Sequence, residues 1–232
     1  LAITDTLPAG IEVDASPSPT NTCGGTFAPV AGATSISFSG GGPLTPGNQC
    51  VISVVVKATQ AGALVNTTGN VSSTEGGTGG TASATLNVFA PPTVSKAFGA
   101  SSIVPGGQTT LTLTITNPAG NPGNLTGVAV DDIFPVGLVA GTPPLVSTTN
   151  CGGSLVTDTG GGPFGSGDLG IRVSNITAVV GFPCVVVANV TAASPGTYNN
   201  TTNAPTSTNG GTGVVSNTAS LNVNTPPTIS KA

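Results

Sequence analysis

One passage of this chain is written twice. Asn87-Val88-Phe89-Ala90-Pro91-Pro92-Thr93-Val94-Ser95-Lys96-Ala97 returns about 135 residues later as Asn222-Val223-Asn224-Thr225-Pro226-Pro227-Thr228-Ile229-Ser230-Lys231-Ala232. The echo extends upstream: Asn66-Thr67-Thr68 matches Asn200-Thr201-Thr202, and Gly76-Gly77-Thr78-Gly79 matches Gly210-Gly211-Thr212-Gly213. Asp5-Thr6-Leu7-Pro8-Ala9-Gly10 matches Asp132-Ile133-Phe134-Pro135-Val136-Gly137, and Cys23-Gly24-Gly25 matches Cys151-Gly152-Gly153. A period near the usual domain length of roughly 100–150 residues specifies an array of like domains. The expected division is residues 1–90 as a repeat without its first strands, residues 91–225 as a complete repeat, and residues 226–232 as a linker with the first strand of a following or neighbouring repeat. Two readings of the ends stay open at this point: a window cut from a longer array, or a tail that completes the first domain of another copy.

The period is filled with strand signals. Thr109-Thr110-Leu111-Thr112-Leu113-Thr114-Ile115-Thr116 alternates apolar and Thr at period two, the pattern of a half-buried antiparallel strand. Val51 to Val56 and Cys184 to Val190 are β-branched runs of strand length, and Ala82 to Val88 and Thr218 to Val223 close the repeats. No window carries a 3.6-residue apolar period, and 35 Gly with 20 Pro punctuate the chain. Many short strands separated by Gly/Pro turns predict an all-β sandwich. Pro91-Pro92 and Pro226-Pro227 favour stiff, extended polyproline II joints.

Four cysteines fall two per repeat, Cys23 with Cys50 and Cys151 with Cys184. Three pairings are open to four cysteines, and the repeat favours these two. Free buried thiols are the alternative; zinc is disfavoured because the chain has no His and no CxxC. Each disulfide would contribute about 3 kcal/mol and implies an oxidising compartment outside the cytoplasm.

Charge is scarce: four Lys+Arg against eight Asp+Glu, 5% in all, where an average domain has about 25%. Nucleic-acid binding needs clustered cations and is excluded; docking on anionic lipid is disfavoured. With 37% hydrophobic residues in ordered runs, the chain is not of disordered composition. A Thr/Asn/Gly surface with little self-repulsion suits lateral packing. No stretch approaches the about 20 apolar residues of a membrane span, and the absence of Met and of a leader reads as a mature or internal piece.

Catalytic constellations are not expected. Without His, Ser-His-Asp and Cys-His arrangements are unavailable, and no GxxxxGK[ST] loop occurs. Glu12 with Asp14 and Asp131 with Asp132 lack the oxygen-ligand spacing of a calcium loop and read as solvated turn carboxylates. No cofactor and no metal is expected. Seven Asn-x-Ser/Thr sequons stand at Asn66, Asn70, Asn124, Asn175, Asn189, Asn199 and Asn200, several expected by chance in a chain so rich in Asn and Thr. The second repeat is longer between its cysteines, where Gly160 to Gly167 reads as a surface loop.

The order Lys96 to Pro118 ("KAFGASSIVPGGQTTLTLTITNP"), then "TGVAVDDIFPVGL", "NCGG", a late Cys before a strand and "GTYNNTTN" resembles the bacterial conserved-repeat family of immunoglobulin-like domains. Those repeats occur in tandem in large secreted or surface-anchored proteins. The resemblance covers essentially all of residues 91–225 and the matching parts of the rest, and implies tandem immunoglobulin-like sandwiches, an extracellular setting and a structural or adhesive role.

Polar residues recur at matched positions. Lys96 and Lys231 share one on the first strand, Asp5 and Asp132 one on a middle strand, Asn87 and Asn222 one on the closing strand, and Asn66 and Asn200 another. First-strand Lys, middle-strand Asp and late-strand Asn together resemble the surface-protein domains that form an intramolecular Lys–Asn isopeptide bond, in which a desolvated amine attacks a carboxamide polarised by a protonated carboxyl. Phe98 and Phe134 would supply the apolar wall. The alternative is a Lys–Asp salt bridge with the Asn residues in turn or ladder roles.

The leading expectation is therefore a structural protein of an extracellular filament or stalk, partnered by copies of itself, with strand exchange placing Lys231 of one copy beside Asp5 of the next. The second is an adhesin whose loops grip a glycan or host protein, disfavoured by one Tyr and no Trp. An enzyme is the remote third.

Overall fold

The computed structural model describes residues 1–153 and 155–231, all-β throughout, in two compact units, Leu1–Val88 and Phe89–Ala232.

In the second unit, one sheet orders the strands Thr93–Phe98, Gln108–Thr116, Cys184–Ala192 and Leu138–Thr149, with every neighbouring pair antiparallel. The other face carries Leu155–Thr157, Gly170–Ala178, Leu125–Ile133, Thr206–Ser207 and Gly211–Thr212 in that order. A smaller sheet joins Ser102–Ile103, Ala219–Val223 and Gly196–Asn200. The predicted Thr/apolar strand spans Gln108–Thr116 and buries Leu111, Leu113 and Ile115 at alternate positions. These meet Val186 and Val190 of their own sheet and Val128, Val130, Ile171, Val173 and Leu221 from the opposing strands, one dry core between two layers.

Local chemistry sets the corners. Tyr198, the only tyrosine, donates its hydroxyl to the Ser194 carbonyl at 2.8 Å, the tyrosine corner of immunoglobulin-like sandwiches. Pro135-Val136-Gly137-Leu138 is a turn closed by Leu138 N–H to Pro135 O at 3.0 Å, and Gly137 sits at φ +92°, the left-handed geometry a type II turn requires at its third residue. The matched Pro8-Ala9-Gly10-Ile11 does the same, with Gly10 at φ +88° and a 3.1 Å closing bond.

Both disulfides pair as the repeat predicts, Cys23–Cys50 and Cys151–Cys184, with Cα separations of 4.9 and 4.7 Å. Cys151–Cys184 does not have the antibody arrangement of a bridge through the middle of the core. Thr149 pairs with Val185, so Cys151 and Cys184 lie at the shared end of two neighbouring strands. Gly152 then bridges to Thr177 of the opposite face, which puts the disulfide at a corner of the sandwich.

The first unit has shorter elements: Ile3–Thr6 pairs with Ser35–Ser39, Ile11–Val13 with Val56–Ala58, and Gly62–Thr67 with Ser83–Val88. Its core is small, centred on Leu7, Ile11, Val13 and Leu64. Among the described residues it has no counterpart of the Thr93–Phe98 and Gln108–Thr116 strands. The run Val51–Val56, expected as one strand, is broken into Ile52–Ser53 and Val56–Ala58, and Val51, Val55 and Val56 stand exposed. Here β propensity is overridden because no strand among the described residues pairs with the run as Gln108–Thr116 pairs with the matched Cys184–Ala192.

Residues 226–231 form no strand within the chain and are exposed; Ala232, the end of the expected tail strand, lies outside the described residues. The Gly160–Gly167 segment forms the connection between Leu155–Thr157 and Gly170–Ala178. It is held by Asp158 and Asp168, whose carboxylates accept from the Gly162 and Gly165 N–H groups at 2.7 and 2.6 Å.

Candidate functional site

Three inward positions of the second unit carry polar groups where the pattern calls for apolar ones. Lys96 sits between Val94 and Phe98 on the inward row of its strand; Asp132 follows Val128 and Val130 on theirs; Asn200 follows Tyr198. All three are buried, at 4%, 0% and 2% exposure. Their strands belong to three different sheets, and the side chains converge. Lys96 Nζ donates to both carboxylate oxygens of Asp132, and Asn200 Nδ2 donates to Asp132 Oδ2 at 3.4 Å. Leu113 and Ile171, the ladder partners of Lys96 and Asp132, are themselves buried, and Phe134 lies next on the inward row after Asp132.

The electrostatics follow from burial. Desolvation pushes the Lys96 amine down to about 8, against the attraction of Asp132, which works to raise it. Desolvation likewise pushes the Asp132 carboxyl up, against Lys96 and the Asn200 hydrogen bond. Low dielectric thus lowers the cost of moving a proton from amine to carboxyl, the transfer that would expose a neutral nucleophile beside a neutral acid.

Asn217 escaped the sequence reading. Its Oδ1 accepts from the Lys96 N–H at 2.9 Å and its Nδ2 donates to the Lys96 carbonyl at 2.9 Å. The strand Thr93–Phe98 is the edge of its sheet, and Asn217 pairs the free backbone at the lysine itself, fixing where Nζ points. The repeat held no signal for it: the Ala82 N–H donates to Thr68 Oγ1 as the Ser216 N–H donates to Thr202 Oγ1, so Ala82 matches Ser216 and Asn217 has no counterpart.

The closing-strand asparagines are not part of the cluster, which corrects the expectation for Asn222 and Asn87. In Ala219–Val223 the inward positions are Ala219, Leu221 and Val223, so Asn222 points outward, where its Oδ1 accepts from Thr197 at 2.8 Å. Asn87 is likewise exposed. Lys231 is exposed and outside any strand.

Half of the cluster recurs in the first unit. Asn66 Nδ2 donates to Asp5 Oδ2 at 2.7 Å, as Asn200 does to Asp132. Asp5 Oδ1 and Asn66 Oδ1 are buried with no hydrogen-bond partner among the described residues. They border a groove of about 390 Å³ whose apolar lining includes Leu7, Ile11, Val56, Leu64 and Leu86. The remaining carboxylates flagged in the sequence are half-buried, Glu12 at 3.6 Å from Lys57, Asp131 at 3.5 Å from Arg172 and Asp14 accepting from the Ser16 N–H at 2.8 Å, and the expectation of a solvated Asp131–Asp132 pair is corrected at Asp132, which the core encloses. Of the sequon asparagines, Asn200 is shut inside the core, whereas Asn70, Asn124, Asn175 and Asn199 are exposed.

Strand pairing, tyrosine corner and corner disulfides define an immunoglobulin-like β-sandwich protein of the disulfide-stapled kind. The chain belongs to the family described as a domain of unknown function, DUF7933, whose model matches residues 1–88 and 92–223. No curated protein matches. Among solved structures it is similar to the C-terminal domain of the AgI/II polypeptide BspA of Streptococcus agalactiae, at 14% identity and TM-score 0.46 over 96% of this chain and 84% of that one. It is similar to the C-terminal domain of the antigen I/II-family protein AspA of Streptococcus pyogenes, at 13% identity and TM-score 0.45 over 96% and 84%. A non-cellulosomal cohesin of the archaeon Archaeoglobus fulgidus follows at 10% identity and TM-score 0.38, over 57% of this chain and 91% of that one. These scores are low, and the fold assignment rests on this chain's own strand pairing.

Proposed function

We propose that the chain is a structural segment of an extracellular array of immunoglobulin-like sandwiches, in which the first unit receives the lysine-bearing opening strands of a like repeat. One observation carries the reading: matched positions of the two units differ in what covers them. Leu221 is 0% exposed and its match Leu86 is 42% exposed; Val190 is 0% exposed and its match Val56 is 38% exposed. In the second unit Thr93–Phe98 brings Lys96 to Asp132; in the first, Asp5 and Asn66 keep the acceptor half with buried oxygens unsatisfied. An unpaired buried carboxylate oxygen at the end of an apolar groove is complementary to an extended strand that carries one amine among apolar residues. The two disulfides support an oxidising compartment for such an array, and a chain with 5% charged residues suits close lateral packing.

The occupant is the opening hairpin of a repeat, so the test uses a synthetic peptide with the sequence of residues 91–117, titrated into the intact chain. Saturable binding is expected, weakened about tenfold when the peptide carries Lys96→Met and losing that discrimination in an Asp5→Ala chain. Absence of saturable binding, or equal binding of the Lys and Met peptides, would overturn the reading.

A further inference from the structure

We propose that Lys96 and Asn200 are joined in the mature protein by an intramolecular isopeptide bond, with Asp132 carrying the protons. The inference goes beyond the array reading and does not depend on it, since it concerns chemistry inside one unit.

The geometry gathers the three groups around one carboxyl. The nucleophile is an amine whose side chain is 0% exposed, held against a carboxyl group that is also 0% exposed. Asp132 touches both Lys96 Nζ and Asn200 Nδ2, so a single acid reaches the attacking nitrogen and the nitrogen that must leave. Of the two side-chain carbonyl carbons in the cluster, that of Asn200 is the better electrophile: Asp132 paired with an ammonium is a carboxylate, whereas a carboxamide expels neutral ammonia once its nitrogen is protonated. Water, the competing nucleophile, is kept out by the core around the cluster. Burial also lowers the Lys96 pKa, which raises the neutral, nucleophilic fraction. Asn217 holds the Lys96 backbone on both sides and acts as a positioning residue.

The step balances without any co-reactant. Asp132 takes one proton from the Lys96 ammonium, and the free Nζ pair adds to Asn200 Cγ. Asp132 then gives its proton to Nδ2 as the Cγ–Nδ2 bond breaks, and the second Nζ proton leaves with the departing ammonia as ammonium. An ammonium and a carboxamide become a secondary amide and an ammonium ion. The product ties the edge strand Thr93–Phe98 to the end of Gly196–Asn200 through the core, a covalent strut between strands that hydrogen-bond in different sheets.

Intact mass spectrometry of the purified chain, reduced, tests this directly. The expected mass is that of the sequence less one ammonia. Trypsin should leave Lys96–Ala97 uncut and yield one branched product joining residues 58–172 to residues 173–231; an Asp132→Ala chain should show the full sequence mass. Four results would overturn the proposal: an unshifted wild-type mass; loss of one water, which puts the bond on Asp132; loss of ammonia with Lys96–Ala97 still cut, which marks an asparagine succinimide; or a shift that survives Asp132→Ala. Because the wild-type reading suffices, a variant that fails to fold does not remove the test.

Discussion

Asp132→Ala is expected to destabilise the second unit by about 3–5 kcal/mol at neutral pH from the stranded charge alone. The lysine it leaves behind is 4% exposed in an apolar row, with no route to water that keeps its strand paired. Such a lysine folds at neutral pH only by giving up its proton. Its pKa is about 8 with Asp132 present; the attraction that works to raise it disappears with the carboxylate, so the folded value falls further, while the unfolded chain keeps the ordinary 10.5. Between those values the unfolded state holds one more proton than the folded state, and stability rises with pH. The stability of the Asp132→Ala chain should therefore be lowest at and below neutrality and rise steadily as pH approaches 10.5. Denaturant unfolding followed by tyrosine fluorescence reads this cleanly, because Tyr198 is the only tyrosine, there is no Trp, and it sits in the core of the unit in question. A variant whose stability does not rise with pH between neutrality and 10.5 would mean that Lys96 finds another partner.

Replacing Cys151 and Cys184 together by Ala is expected to cost the second unit about 3–4 kcal/mol, the loop-closure entropy for a separation of 33 residues. The corner position says where the loss appears. Cys184 begins the strand that runs down the middle of its sheet, and Cys151 follows the edge strand Leu138–Thr149, whose pairing already shifts register between Ala140 and Leu145. Without the staple that edge should fray first, so amide hydrogen exchange at Ser147–Thr149 should accelerate more than exchange in Gln108–Thr116. A loss well under 1 kcal/mol, or uniform acceleration across the unit, would show that the bridge does not hold the edge in place.

Much of this was legible before any coordinates, and the reasons are specific. The Thr109–Thr116 alternation predicts its strand because Thr on one face and Leu/Ile on the other allow a single register. The cysteine pairs follow from the repeat, and so do the lysine and aspartate positions. The choice between Asn200 and Asn222 was less plain, since both recur in the repeat. Period two settles Asn222, which is flanked by Leu221 and Val223 and must face out, but Asn199-Asn200 is a polar doublet with no alternation to read. Asn217 was beyond reach, because clasping an edge strand's backbone leaves no mark in composition or spacing. The break in the Val51–Val56 run was legible in part: its residues favour a strand, yet the repeat alignment already gave this unit no match for Gln108–Thr116 to pair with it.

A lysine shut inside a sandwich with a carboxyl and a carboxamide is tested most directly by lysine accessibility. The chain has three lysines; Lys57 has a side chain 58% exposed and Lys231 is exposed, so brief acetylation of the native protein followed by peptide mapping should mark both and spare Lys96. Acetylation of Lys96 at a rate comparable to Lys57 would contradict the buried cluster and everything built on it.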